Sequence, residues 1–227
     1  MIDLSIIIPA YITSKKGRND LEALIKKIIG QMAPNRHELI VIDDGSPDRN
    51  VKPLCYMTFE NENFSLYRNA RNCGVARARN QGIDYTSGEY IVFLDADDDI
   101  PQDFIEILDD RISIDRGYSH AETDKPAIAD IIQFQAKYQD GSVGYPTPCA
   151  WGKLIKRSWI GEDRFDEDQL IGEEDTLFLK KPAVIIRDDR IIYYHRQDAN
   201  PDSLMKRYWR GEIPRRRGEE PYKGEQK

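Results

Sequence analysis

The chain has 227 residues, of which 32% are charged, and its formal net charge is −7 at pH 7. This length is enough for one sizeable core with at most a small appendage, and the acidic balance argues against general nucleic-acid binding. No apolar run approaches the roughly 20 residues that span a bilayer, and three cysteines without paired spacing (Cys55, Cys73 and Cys149) indicate reduced thiols in the cytoplasm rather than disulfides or a zinc site.

The first half of the chain alternates apolar strands with amphipathic helices. Short runs rich in β-branched or aromatic residues predict strands over 4–11, 38–42, 64–69 and 90–94. Helical spacing of apolar residues predicts a helix over 19–32, with Asn19 or Asp20 as its N-cap, and a second over 74–89 that Gly88 ends. This order is typical of an α/β fold with a mainly parallel sheet that is covered on both faces.

The second half is less regular, and we expect it to complete the same domain. The predicted elements are a helix over 104–114, a polar linker over 113–126, a strand over 127–138, a turn over 139–144, an acidic and then helical segment over 164–181, and two short strands around a charged turn over 183–196. We therefore expect a single domain over 1–206. The polar tail over 207–227, which has few aliphatic residues, is expected to be loosely ordered.

Three of the predicted strands end in polar or conformationally special residues. These ends are Pro9-Ala10-Tyr11, Asp43-Asp44-Gly45 and Asp95-Ala96-Asp97. Because ligands of parallel α/β sheets bind at the carboxyl ends of the strands, we expect the three ends to converge on one ligand site. The last strand end is unusually acidic, since Asp98 and Asp99 follow directly.

These four carboxylates have several possible roles. An exposed acidic turn without a ligand is the simplest. An EF-hand loop fits poorly, because Ile100 stands where the sharp turn requires Gly, and a phosphatase D-x-D-x-T motif fits poorly, because Asp99 stands in place of Thr. A divalent cation that bridges to a diphosphate fits best, since D-x-D spacing places two carboxylates on one side of an extended segment.

The ordered series "SIIIPAY", "ELIVIDDGSPD" and "NCGVARARNQGIDYTSGEYIVFLDADDDI" resembles the family 2 glycosyltransferases with a GT-A fold. These enzymes transfer a sugar from a nucleotide-diphospho-sugar with inversion. The resemblance covers residues 4 to about 105 and continues more weakly to about 205. It implies a Rossmann-like nucleotide-sugar half over 1–115 and a smaller acceptor-side half over 127–206, a UDP-sugar donor, and Mn²⁺ or Mg²⁺ as cofactor.

The resemblance also implies a set of donor-binding residues, which are Pro9, Ala10, Tyr11, Asp44, Arg71, Asn72, Gly74, Asp95 and Ala96. In that set, Tyr11 offers a flat face to uracil and Asp44 accepts the imide N–H of the base. Arg71 adds positive charge beside the phosphates. Asp97 is the direct metal ligand, and Asp95 serves as a second metal-site acid that reaches the ribose or a metal-bound water.

Two more implied roles concern residues outside the donor set. Asp43 is expected to hold its turn, and Asp98 is expected to assist the metal site.

On the acceptor side, "IGEEDTLF" resembles the catalytic acid pair of the family. The resemblance makes Asp175 the general base and Glu174 its neighbour, because the acceptor hydroxyl must lose a proton as it attacks the anomeric carbon. Within "WGKLIKRS", Trp151 is implied as a sugar platform and Lys153 as a contact to the phosphate or the acceptor. Shortened segments on this side leave the acceptor, and the activity of the chain, open.

Each role has a structural alternative. Asp44 alternatively caps the Gly45 turn, Asp175 belongs to a helix start, and Trp151 is ordinary core packing. His195 is a metal ligand in one interpretation and a structural residue in the other, which is the more common case. The two remaining histidines, His37 and His120, are predicted to lie at the surface.

The leading interpretation is thus an inverting, metal-dependent hexosyltransferase that acts in cell-surface polysaccharide or glycolipid synthesis. One alternative is a nucleotide-sugar-binding module without catalysis, and another is a sugar-phosphate nucleotidyltransferase, although its Gly-rich loop is missing after the first strand. The expected partners are the nucleotide-sugar and a carbohydrate or lipid-linked acceptor. The segment KRYWRGEIPRRR is either a solvated tail or a peripheral contact to an anionic membrane surface at its inner face.

Overall fold

A computed structural model describes residues 2–119, 129–146, 149–169, 177–178, 182–196, 210, 212, 214–218 and 220. Its strands are β1 (Leu4–Ala10), β2 (His37–Asp43), β3 (Phe64–Arg68), β4 (Tyr90–Phe93), β5 (Ile131–Tyr138), β6 (Val143–Gly144), β7 (Lys153–Lys156) and β8 (Ile185–His195). Its helices are α1 (Lys15–Ile29), α2 (Asp48–Glu60), α3 (Val75–Tyr85), α4 (Phe104–Ser119) and α5 (Arg157–Ile160). Within these ranges, no helix is both long and apolar enough to cross a membrane.

The strands form one mixed sheet in the order β3-β2-β1-β4-β7-β5-β6, with β8 also paired to β5. Strands β3, β2, β1 and β4 are parallel neighbours. Strand β7 runs antiparallel to β4 and β5, and β8 runs parallel to β5. The predicted α/β fold with a mainly parallel sheet is therefore confirmed. Because β1, β2 and β4 point the same way, the three polar strand ends share one edge of the sheet.

The centre of the sheet is covered on both faces, which explains why β1 is buried along its whole length. Ile6 and Ile8 belong to a core cluster shared with α1, α2 and α4, whereas Ile7 belongs to a second cluster shared with α3 and α5. Successive side chains of a strand point to opposite faces, so one apolar run supplies both cores. Full burial of each such side chain stabilises the fold by about 2 kcal/mol.

Helix α1 begins four residues earlier than the sequence predicts. Its N-cap is Ser14, whose Oγ accepts a hydrogen bond from the N–H of Gly17 at 3.0 Å. The prediction that Asn19 or Asp20 caps this helix was wrong. The first turn is polar and exposed, so the sequence there lacks the apolar periodicity that would predict a helix.

Helix α2 was missed in the sequence. It contains Pro53, which normally disfavours a helix interior, and its N-terminal half is polar. Its buried side chains Val51, Leu54 and Met57 nevertheless recur at helical spacing, and Leu54 and Met57 pack in the first core cluster beside β3. Three apolar positions were enough to bury one face but too few to stand out in the sequence.

Helix α3 ends at Tyr85, and the expectation that Gly88 ends it was wrong. Gly88 lies in the following turn, where its N–H donates to Ser5 Oγ at 2.8 Å. A Cβ atom at this position would lie 2.4 Å from that same oxygen. Glycine is therefore needed for the close approach of this turn to β1 rather than for a helix end.

Two further expectations for the second half need correction. Helix α4 extends to Ser119, so the first part of the expected linker is helical. The two short strands expected over 183–196 form the single strand β8, and the charged turn is an irregularity within it, where the register to β5 shifts. Part of the tail is described, and within it Arg216 forms a β-bridge with Gln169; the expectation that the tail is loosely ordered stays a prediction.

His37, which was predicted to lie at the surface, is buried at 1% exposure. Its Nδ1 accepts the N–H of Ala33 at 2.9 Å, and its Nε2 lies 3.0 Å from Asp109. The surface prediction was wrong because a polar ring can be buried once both nitrogens have partners. His120 lies outside the described residues.

Candidate active site

The ends of β1 and β2 are joined by a set of short hydrogen bonds. The N–H of Asp44 donates to the carbonyl of Ala10 at 2.8 Å, and the N–H of Ile12 donates to Ser46 Oγ at 2.7 Å. Asp43 holds the turn by accepting the N–H of Ser46 at 3.0 Å. The expected role of Asp43 is thus confirmed, and the two strand ends form one rigid unit.

Asp44 holds a loop rather than its own turn. Its carboxylate is buried at 4% exposure and accepts the N–H groups of Cys73 and Gly74 at 2.9 and 2.7 Å. The amide of Asn69 donates to it at 2.9 Å. Capping of the Gly45 turn by Asp44, the structural alternative, is therefore not what the fold shows. A role of Asp44 toward a nucleotide base stays a prediction.

The loop over 71–74 (the donor loop below) packs tightly against the β2 end. Gly45 has a φ of +78°, and a Cβ atom there would lie 2.4 Å from the backbone carbon of Arg71. Gly74, at φ +102°, stands at the N-cap of α3. The side chains of Arg71 and Asn72 are exposed. The fold thus brings Arg71, Asn72 and Gly74 beside Asp44, as the resemblance implies.

The end of β1 places the remaining donor candidates next to this loop. Pro9 and Ala10 are buried, whereas Tyr11 is 51% exposed. A large aromatic ring that the fold leaves half in solvent at a strand end has a free face for a flat ligand. The geometry is compatible with the predicted contact to a base, and this contact stays a prediction.

Beyond β4, Asp95 is paired with a buried cation. Arg79 Nη2 lies 3.0 Å from Asp95 Oδ1, and the arginine is only 2% exposed. Arg79 also lies over the ring of Phe165 at 5.7 Å. The sequence interpretation missed Arg79, although an arginine between the inward-facing Ala76 and Ile83 of α3 is a signal of a buried acidic partner.

Asp98 and Asp99 are held by the end of β8. Asp98, at 4% exposure, accepts from Tyr193 Oη at 2.5 Å and from the N–H of Arg196 at 2.7 Å, and it lies 3.1 Å from His195 Nδ1. Asp99 pairs with Lys27 and Arg196, and its backbone bonds to Tyr194 in both directions. Both oxygens of Asp98 thus already have protein partners, and its expected assistance at the metal site stays a prediction.

Asp97 differs from its three neighbours. It forms no ion pair with any other residue that the structure describes, whereas Asp95, Asp98 and Asp99 each do. Burial raises the pKa of Asp97, and the nearby Asp98 raises it further. An unpaired carboxylate in acidic surroundings is stabilised by a cation, so the four acids divide into three that build the loop and one that is left for a ligand.

The residues present fit a divalent cation of a particular kind. Among the described residues, no group of three or more His, Cys, Asp or Glu side chains is arranged to hold a metal by itself. Magnesium-like ions are commonly bound through one or two carboxylates, with substrate phosphates and waters as the other ligands. Asp97, with Asp95 beside it, would supply the carboxylates of that incomplete set.

Trp151 and Lys153 are both buried, at 6% and 4% exposure. The Trp151 ring stacks on Tyr193 with centroids 4.4 Å apart. This is the ordinary core packing that was the alternative to a sugar platform. The Lys153 ammonium donates to the carbonyls of Pro146, at 2.9 Å, and Cys149. Their implied roles toward a sugar, a phosphate or an acceptor stay predictions, and each side chain already has a structural task.

The implied general base and its neighbour, Asp175 and Glu174, lie outside the described residues. His195, by contrast, is described. It stacks on Trp151 at 5.0 Å and binds Asp98, which agrees with its structural interpretation.

Comparison with known proteins shows the family of the chain. The model of the glycosyl transferase family 2 matches residues 5–122, which include β1 from its second residue, β2 to β4, the donor loop and the acidic loop. The chain belongs to this family.

The curated relatives extend the similarity over most of the chain. GlyA, a glycosyltransferase of Streptococcus pneumoniae, is 28% identical over 214 residues, which cover 85% of this chain and 29% of GlyA. The minor teichoic acid biosynthesis protein GgaB of Bacillus subtilis is 26% identical over 87% of this chain and 23% of its own length. The chain therefore spans less than a third of either relative.

A solved structure shows the same fold. S. aureus TarS (residues 1–349) in complex with UDP superimposes with a TM-score of 0.67 at 18% sequence identity, over 92% of this chain and 63% of that one. At this identity the likeness establishes the GT-A fold.

Proposed function

We propose that the chain transfers a sugar, with inversion, from a UDP-sugar to an acceptor hydroxyl. The observation that carries the proposal is Asp97, a partly buried carboxylate that pairs with no cation among the described residues. It lies at the edge of the sheet where Tyr11, Asp44 and the donor loop also lie. Nucleotide, metal and diphosphate would thus be bound by neighbouring strand ends, as is general for open α/β sheets.

On the nucleotide side, the exposed ring of Tyr11 would stack on uracil, next to the buried Pro9 and Ala10. Asp44 would accept the imide N–H of the base while it continues to hold the donor loop. Three donors from the protein make four contacts to this carboxylate, because both of its oxygens share the Cys73 N–H. The base would take the lone-pair site that is released when this N–H turns to one oxygen alone. Arg71 and Asn72 would then border the nucleoside from the loop.

On the phosphate side, Asp97 would bind Mn²⁺ or Mg²⁺ directly, and Asp95 and Ala96 would line the ribose and the metal-bound water. When bound, the cation would neutralise the charge that develops on the departing diphosphate. Arg79 would hold Asp95 in place through their 3.0 Å pair.

The proton of the acceptor hydroxyl would go to Asp175, with Glu174 beside it. One carboxylate base suffices for inversion when the leaving group needs no protonation. Trp151 and Lys153 would shape the sugar side through the loop that Lys153 holds.

The acceptor is proposed by class only. The similarity to GgaB, whose name refers to teichoic acid biosynthesis, and to a cholesterol galactosyltransferase of Borreliella burgdorferi (30% identical over 72% of this chain) favours a hexosyl transfer to a cell-surface polymer or a glycolipid. Such acceptors would be met at the inner face of the membrane, in peripheral contact.

The proposal is tested by titrating UDP calorimetrically into the chain with and without Mn²⁺. The variants are Asp97→Asn, which removes the charge and keeps the shape, and Asp103→Asn as a matched control on an exposed neighbour. We expect metal-dependent UDP binding in the wild type and in the control. Loss of one charged metal ligand should weaken binding by about tenfold or more.

Each outcome bears on a different part of the proposal. Metal-independent UDP binding that Asp97→Asn leaves unchanged would overturn the metal site and keep the nucleotide site. Absence of UDP binding in the wild type would overturn the proposed donor. Binding without release of UDP from any UDP-hexose, even with broad acceptor mixtures, would favour a binding module without catalysis.

A further inference from the structure

The C-terminal segment over 214–218 returns to the donor loop. Arg216 pairs in an antiparallel bridge with Gln169, and its guanidinium lies 2.9 Å from Asp166. The N–H of Arg217 donates to the carbonyl of Asp168 at 2.8 Å, and its Nε donates to the carbonyl of Glu167 at 3.2 Å. The segment, called the strap below, is thus fixed along residues 166–169.

The guanidinium of Arg217 continues from there to the donor loop. Its Nη2 donates to the carbonyl of Cys73. A Cβ atom at Gly74 would lie 2.9 Å from the same Nη2, so the loop backbone and this side chain are in close contact. Arg217 is therefore a bridge of hydrogen bonds between residues 166–169 and the donor loop.

The backbone of Cys73 and Gly74 is consequently held from two sides. Asp44 accepts the N–H groups of Cys73 and Gly74, and Arg217 donates to the carbonyl of Cys73. The first contact comes from the β2 end, which is rigid. The second comes from a residue that is 144 positions away in the sequence.

Residues 165–169, which anchor the strap, are themselves hydrogen-bonded to α3. Asn80 donates to the carbonyl of Phe165 at 3.0 Å and accepts the N–H of the same residue at 2.9 Å. Its amide also donates to Glu167 at 3.1 Å. Because α3 begins directly after the donor loop, the strap, its anchor and the loop form a closed circuit of contacts.

We propose that Arg217 is a positioning residue for the donor loop, and that the strap keeps the Cys73 carbonyl turned away from Asp44 so that the loop N–H groups stay on that carboxylate. This inference rests on the proposed function, since it assigns the loop to nucleotide binding. Arg217 acts on the donor through the loop, and no contact of its own to the donor is needed.

Cys73 provides a probe of this role that is independent of activity. The thiol lies within the loop and is partly buried, whereas Cys55 on α2 is exposed. Alkylation of the full chain by iodoacetamide, followed by peptide mass spectrometry, measures both thiols in one sample. Cys55 serves as the internal reference, and UDP with Mn²⁺ should slow the labelling of Cys73 only.

The variants are Arg217→Ala, Arg217→Lys and Arg187→Ala. Arg187 is an exposed arginine on β8, beyond β7 and β5 from the donor loop, so its removal controls for the loss of one surface charge. We expect Arg217→Ala to raise the labelling rate of Cys73 relative to Cys55 and to weaken UDP binding, each by about tenfold, as for loss of one charged hydrogen bond. Arg217→Lys, which keeps one donor, should show smaller changes in the labelling rate and in the affinity for UDP. The thermal midpoint of each variant should stay within a few degrees of the wild-type value.

The outcomes separate the inference from the function that it rests on. If the wild type binds UDP and Arg217→Ala changes neither the affinity nor the relative labelling of Cys73, the positioning role is overturned and the proposed function stands. If UDP binds to no variant but the labelling still rises in Arg217→Ala, the strap holds the loop and the donor assignment fails. Equal effects of Arg187→Ala would also overturn the role of Arg217.

Discussion

Arg79 and Asp95 form an ion pair in which the cation is 2% exposed and the carboxylate reaches the edge of the sheet. Asp97, two residues on, has no such partner among the described residues. The two acids of the D-x-D motif therefore differ in what they contribute to the fold, although the sequence presents them as equivalents.

This difference predicts opposite effects on stability. Asp95→Asn removes the carboxylate charge 3.0 Å from the buried Arg79 guanidinium, so it should lower the free energy of unfolding by about 2 kcal/mol. Asp97→Asn removes a carboxylate whose ionisation burial disfavours, so it should leave stability unchanged or raise it by up to about 1 kcal/mol. Urea unfolding at neutral pH without metal measures both, and equal losses would contradict the division of roles.

A second prediction concerns acid stability. Asp3 accepts hydrogen bonds from Arg116 at 2.7 Å and Arg36 at 2.8 Å, and the Arg116 bond is the largest cause that lowers the pKa of Asp3. Because the folded-state pKa lies below the unfolded value, this contribution is present above about pH 4 and is lost as the pH falls through the folded value.

Asp3→Asn should therefore destabilise the chain by about 1 kcal/mol at neutral pH and by less as the pH approaches 3. Urea midpoints between pH 7 and pH 3 provide the measurement. Asp103→Asn, on an exposed carboxyl, should show no such pH trend. A loss for Asp3→Asn that is constant with pH would show that the carboxylate charge is not the cause.

A third prediction compares two glycines with a positive φ. At Gly45 (φ +78°) an added Cβ would meet the backbone of Arg71, whereas at Gly141 (φ +87°) nothing lies within 4 Å. Gly141→Ala should cost only the backbone strain, about 1 kcal/mol. Gly45→Ala should cost about 2 kcal/mol more and should also weaken UDP binding, because the donor loop must move.

Thermal unfolding measures the stability of the two variants, and calorimetry measures their affinity for UDP. Similar losses of stability at both positions, with UDP binding intact, would mean that the donor loop can retreat from Gly45 without consequence.

A fourth prediction separates the two possible tasks of Lys153. Lys153→Met keeps the length of the side chain and removes the donor to the Pro146 and Cys149 carbonyls, so we expect a loss of about 2 kcal/mol of stability. If the task is only to hold this loop, affinity for UDP should stay unchanged. A weaker affinity for UDP at unchanged stability would instead support a direct contact to the phosphates.

Much of the fold was predictable because each central strand is apolar throughout and each strand end is polar. β1, β2 and β4 were found to within one or two residues, and their order along the chain indicates the parallel sheet. Helix α2 was missed because Pro53 and a polar first turn mask a face of only three apolar residues.

The site was predictable only in part. Local spacing identifies the D-x-D motif but says nothing about which acid is paired, since Arg79 lies 16 residues before its partner and the groups that bind Asp98 lie nearly 100 residues after it. Lys153 can be buried because its ammonium donates to the carbonyls of Pro146 and Cys149. Backbone carbonyls leave no signature in the sequence. Contacts between residues far apart in the sequence thus determine which carboxylates are paired, and a short motif does not reveal these contacts.

The attachment of the acidic loop to the end of β8 has a consequence for folding. Tyr193 and Arg196 bind Asp98 across 95 and 98 positions of the chain, and the β-bridge between Asp99 and Tyr194 has a similar span. Contacts of such large sequence separation form late, after local helices and neighbouring strands have closed their shorter loops. During synthesis, the sheet from β1 to β4 can emerge and order itself while its acidic loop still lacks the residues that fix it. The candidate cation site therefore becomes complete only when β8 docks, which couples acquisition of ligand affinity to a late step of folding.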